Sequence, residues 1–151
     1  MNGPRQTISP RSGETLQVAI VARISGCTNQ TEVSLNDQVD HGKSEIAYHF
    51  TGPVNYHTFA TKGKGESIDR HELSELEALL RSRVLDILFV EDLGRLVRGE
   101  EAVRLCGVAV DHGTRVISPN DCIDTAESTW QEDALAASSN HVSHNSQTSK
   151  D

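Results

Sequence analysis

Aromatic residues are scarce. Phe, Tyr and Trp make up 4% of the 151 residues, so a core must come from Val, Ile, Leu and Ala, and the 36% hydrophobic content supports a single one. Long apolar runs are missing too: none approaches the roughly 20 residues that span a bilayer. The opening MNGPRQTISPRSGETLQ has no apolar stretch of the signal-peptide kind. A soluble, cytoplasmic protein without membrane contact is therefore expected. Positive charge is in deficit, with 14 Lys plus Arg against 22 Asp plus Glu and a formal charge of −8. That balance excludes holding nucleic acid by bulk electrostatics, so any DNA contact must rest on specific residues acting locally. An odd set of 3 cysteines, Cys27, Cys106 and Cys122, argues against a disulfide framework. Free thiols are expected.

Residues 1–16 are rich in Gly, Pro, Ser, Arg and Thr without apolar periodicity, the composition of a flexible arm. From about Ala137 the chain is again polar and rich in Ser, Asn and His. The block between, 17–135, alternates strand and helix signals. Val18 to Ala22 is a short unbroken apolar run, the pattern of a strand buried on both faces. Ser34 opens a helical stretch, with Asp37 three residues on and Leu35, Val39, Gly42, Ile46 and Phe50 on one face. A second strand fits Tyr56 to Ala60. Asp69 or Ser67 can cap a helix striped by Leu73, Leu76 and Leu80. Leu85 to Val90 reads as a fully buried strand, and Ala102, Leu105, Cys106, Ala109 and Val110 mark a helix ending at Gly113. Thr114 to Ser118 supplies a fourth strand, stopped by Pro119-Asn120-Asp121. The expected class is α/β, a mainly parallel sheet of four to five strands with helices on both faces. Ligands of such sheets sit beyond the carboxyl ends of the strands.

Arg23-Ile24-Ser25 follows the first strand, and EDLGRLVRG, with Arg95 and Arg98, follows the third. The loop TKGKGESIDR ends in Arg70 on entering the second helix. The topology gathers these segments at one edge of the sheet and places Ser25 among Arg23, Arg70, Arg95 and Arg98. Guanidinium forks match phosphate oxygens bidentately, so a hydroxyl among arginines suggests phosphoryl transfer over acyl transfer. Each arginine also fits an ordinary surface ion pair, and Ser25 an ordinary loop hydroxyl.

Four segments resemble the serine site-specific recombinases, the family of resolvases and DNA invertases. They are VARISGCTNQTEVSLNDQ, KGKGESIDRHEL, DILFVEDLGRLVRG and GTRVISPNDCIDT, in order, and the resemblance runs from about Leu16 to Lys150. The resemblance implies a resolvase-like catalytic domain that cuts and rejoins DNA through a 5′-phosphoserine intermediate. Ser25 would be the nucleophile and Arg23, Arg70, Arg95 and Arg98 would act at the scissile phosphate, with Gln30, Gln38 and Asp69 in support. It implies neither metal nor cofactor. DNA would be the partner, met through a domain that this chain lacks, in a homodimer or tetramer. WQEDALAASSNHVSHNSQTSK resembles the start of the family's long dimerisation helix, so 136–151 is expected to be its truncated, disordered or partly helical beginning. Departures from the pattern are Val21, where an aromatic is frequent, Gly94, where an aspartate is frequent, and Lys64, where a small hydroxyl is frequent.

Other site chemistries fit less well. His141-x-x-His144 and the set Cys106, His112 and Cys122 lack the paired close spacings of zinc sites. GKGE lacks the Gly-Lys-Ser/Thr ending of a P-loop. Two non-catalytic readings stand beside the enzyme: an inactive recombinase fragment serving as a dimerisation or regulatory module, and a small α/β binding domain in which Glu91 and Asp92 take Mg²⁺. Arg95 and Arg98 facing solvent as pairs for Glu100 and Glu101 would favour the binding module.

Overall fold

The computed structural model describes residues 8–25, 32–63, 68–97 and 99–136. Strand β1 (Leu16–Ser25) leads to helix α1 (Glu32–His49), β2 (Val54–Gly63), α2 (Arg70–Arg81) and β3 (Ile87–Val90). A 3-10 turn (Leu93–Arg95), α3 (Glu100–Asp111), β4 (Arg115–Ser118), a second 3-10 turn (Pro119–Asp121) and β5 (Ile123–Asp124) follow. Residues 130–136 are helical. The five strands lie in the order β2-β1-β3-β4-β5, all parallel except β5, which runs antiparallel to β4.

Side chains alternate across a strand, and β1 shows the consequence. Val18, Ile20 and Ala22 pack with Val39 and Ile46 of α1, whereas Ala19 and Val21 face Leu73, Leu76 and Leu80 of α2 and Leu105 and Ala109 of α3. Neighbouring strands keep the division: Ile87, Phe89 and Ile117 join the α1 layer, Leu88, Val90 and Val116 the other. Both faces of the sheet are thus covered, which is why the strands read as unbroken apolar runs. Gly42 permits the close approach of α1, because a Cβ there would stand 3.0 Å from Phe89 Cδ1 and 3.1 Å from Ile20 Cδ1.

Three differences from expectation have physical causes. Residues 8–15 were expected to lie outside the fold, yet Ile8 is buried in the α1 layer. Arg11 donates its backbone N–H to Asp86 and its guanidinium to the carbonyls of Leu85 and His112. One apolar residue and one fork, with partners up to 101 positions away, leave no periodic trace. Second, Ser34 does not cap α1, which begins at Glu32. Third, the fifth strand of the expected four to five, β5, had no strand signal of its own and is an edge strand of two residues. It is held by the bidentate pair of Arg115 with Asp124, at 2.8 and 2.6 Å.

Candidate active site

β1 outruns β3, which pairs only with Val18 to Val21. Past that point the backbone of β1 needs other partners, and α1 supplies one. Buried Gln38 accepts from Arg23 N and donates Nε2 to Arg23 O, both at 3.1 Å. A single side chain thereby does the work of a missing strand residue. Ser25 follows as the last residue of β1, in register with Gly63 of β2.

The Arg23 residue is only 5% exposed. Its Nη1 lies 3.9 Å from Glu72 Oε1, in the first turn of α2. Asp69 caps that helix, accepting from Glu72 N at 2.9 Å while Glu72 reaches back to Asp69 N. The capping box therefore fixes the carboxylate that faces the buried guanidinium. An arginine so deep in the fold demands such a counter-charge.

Arg95 closes the 3-10 turn after β3 and donates Nη1 to Arg23 O at 2.6 Å. Its Nε stands 3.3 Å from Asp92 Oδ2 and its Nη2 4.0 Å from Glu91 Oε1. Nε makes no hydrogen bond among the described residues, so the Asp92 contact is one of charge with poor donor geometry. The turn itself is anchored from β4's side. Asp121 Oδ2 accepts from Leu93 N at 2.8 Å and from Ser118 Oγ at 3.0 Å. Ile68 N in turn donates to Arg95 O, joining the approach to α2 to the same turn.

Arg70, the first residue of α2, differs from both. Its side chain is 82% exposed, and its Nη1 lies 3.1 Å from Glu101 Oε2 on α3. Arg23, Gln38, Asp69, Arg70, Arg95 and the backbone of Ser25 thus gather at the carboxyl edge of the sheet, whereas Gln30 and Arg98 lie outside the described residues.

A protein-family model described as the resolvase N-terminal domain matches residues 18–145. The chain belongs to this family. Two solved structures share the fold. The N-terminal catalytic domain of TP901-1 integrase superposes with a TM-score of 0.62 at 22% identity, covering 87% of this chain and 98% of that one. A resolvase-family site-specific recombinase from Streptococcus pneumoniae gives 0.59 at 18% identity, covering 89% and 93%. Curated protein sequences provide no significant match.

Within this resolvase domain, the motifs carry the arginines but do not assign their counter-charges. Glu72, Glu91, Asp92 and Glu101 each face one of them. Glu72 carried a signal as the third residue of a helix capped by Asp69, and Glu91 and Asp92 one by lying four and three residues before Arg95. Asp121 was visible only as part of a turn. The alternative use of Glu91 and Asp92 as Mg²⁺ ligands competes with their contacts to Arg95, and Glu91 also meets His41 Nδ1 at 3.0 Å. Among the described residues no three of His, Cys, Asp and Glu converge as a metal site. Burial and the nearby Asp121 push the Cys106 thiol up to about 12, so it is no thiolate nucleophile. No helix among the described residues is long and apolar enough to cross a membrane.

Proposed function

We propose that this resolvase domain cuts and rejoins DNA by transesterification, with Ser25 as the nucleophile. The observation that carries the reading is the wiring of the end of β1. Arg95 and Gln38 converge on the backbone of Arg23, two residues before Ser25, at the edge where ligands of parallel sheets bind. Ser25 Oγ bonds to phosphorus and the bond from phosphorus to the 3′ oxygen breaks. The serine proton leaves to solvent, and the departing 3′ oxygen takes a proton from solvent to become a hydroxyl. A 5′-phosphoseryl link conserves the ester for rejoining to the exchanged strand. Arg23, Arg70, Arg95 and Arg98 stabilise the added charge on the five-coordinate phosphorus, and the burial of Arg23 strengthens that effect. The step calls on no metal or nucleotide cofactor. Strand exchange needs paired DNA sites, so the working form is a dimer or tetramer on DNA.

The test is a nicked suicide substrate presented to a recombinase carrying this domain. A covalent protein–DNA adduct should form, map to Ser25 and survive EDTA. An adduct at another residue, or one undiminished in Ser25→Ala, overturns the proposal.

A further inference from the structure

Each described site arginine already has a carboxylate partner, but the three pairs are unequal. The pair of Arg23 with Glu72 is buried, and Arg95 is lodged against Asp92, Glu91 and the Arg23 carbonyl. Only Arg70 can turn away without repacking, because its side chain stands mostly in solvent. Its position is electrostatically awkward. It occupies the first turn of α2, where aligned peptide dipoles disfavour a cation, whereas Glu101 lies in the first turn of α3, where they favour an anion. Glu101 is also not Arg70's alone. Arg104 Nη2 lies 3.7 Å from the same Glu101 oxygen while the Arg104 fork holds Glu77. The carboxylate therefore keeps a cation when Arg70 departs.

We infer that Glu101 is a positioning residue for Arg70: it holds the guanidinium against α3 in the free domain and yields it to a DNA phosphate, Arg104 then serving as the counter-ion of Glu101. The inference rests on the proposed role of Arg70 at DNA. Its consequence is that phosphate binding competes with an ion pair within the domain. An exposed pair of this kind is weak, so the competition is winnable by DNA and amounts to about a two- to fivefold change in affinity. Because both partners are partly solvated, removing the carboxylate should leave the fold intact.

The experiment titrates the 151-residue chain with a short blunt duplex at low ionic strength, following the side-chain Nε–Hε signals of Arg70 and Arg104 by NMR. In the native chain both signals should shift with one binding curve. Glu101→Gln should tighten binding by about two- to fivefold, place the free Arg70 signal nearer its bound position, and leave thermal unfolding unchanged. Glu101→Asp should restore native behaviour in part. In an Arg70→Gln background, Glu101→Gln should add nothing. Equal tightening in that background would mean that only bulk charge matters and would overturn the inference. So would an Arg70 signal that shifts with DNA but ignores Glu101→Gln. If no variant shows any shift of Arg70 with DNA, the role of Arg70 at DNA fails, and the inference with it.

Discussion

The two ends of the sheet are built around buried groups of opposite sign, and they use them differently. At the amino end, Asp86 accepts backbone N–H groups from Arg11 at 2.8 Å and Gln17 at 2.7 Å, and lends its own backbone to β1 and β4. Short hydrogen bonds from the main chain satisfy this carboxylate, which makes that end a lock. At the carboxyl end, Arg23 faces Glu72 at 3.9 Å and Arg95 faces Asp92 with poor donor geometry. At these distances the contacts are ones of charge, not short hydrogen bonds. One end stores stability, and the other gathers the guanidinium groups of Arg23 and Arg95 at the end of β1.

The largest expected effect tests that division from the carboxyl end. Arg95→Ala should lower adduct formation on a suicide substrate by about 100- to 1,000-fold with circular dichroism and unfolding little changed. Arg95→Lys should recover little of it, since a point charge cannot reproduce the fork. From the amino end the pattern should invert: Asp86→Ala leaves the Arg11 and Gln17 N–H groups without their acceptor and should cost about 3 kcal/mol of stability, read by urea unfolding. The adduct rate of the remaining folded protein should not change.

Gln38 is where the comparison can break. It belongs to the site by position and to the fold by its hydrogen bonds, so Gln38→Ala should cost about 1–3 kcal/mol and also slow adduct formation. Loss of stability alone would place Gln38 with the lock. Gly42→Leu is a control on the α1 layer, pressing on Phe89 and Ile20 and costing about 1–3 kcal/mol from overpacking. The smallest effect is expected on the surface. Hydrogen bonds from Arg104 and then Arg81 hold the Glu77 carboxyl below the usual carboxylate range. Its contribution is therefore present above the ordinary carboxylate value and disappears as pH falls through the lowered folded one. Glu77→Gln should cost at most about 1 kcal/mol at neutral pH, with the difference vanishing in acid when unfolding is compared at the two pH values.

What sequence could reveal follows from range. Helix stripes such as Leu73, Leu76 and Leu80 and the run Val18 to Ala22 are local, periodic patterns, and the layers they predict are the layers found. Asp69 as a cap is equally local. The docking of Ile8 and Arg11 escaped because it depends on residues far along the chain.

The amino-acid order by itself determined the alternation of strands and helices and the burial of both sheet faces, because each is set by periods of two or about 3.6 residues, and with them the place of Arg23 and Ser25 at the end of β1 and of Arg95 in the turn after β3. Only the tertiary structure decided which carboxylates Arg23 and Arg70 meet. Asp92 stands three residues before Arg95 and is a local partner, but Glu72 of α2 reaches Arg23 of β1 and Glu101 of α3 reaches Arg70 of α2, and no spacing along the chain encodes a distance between elements that the packed sheet alone brings together.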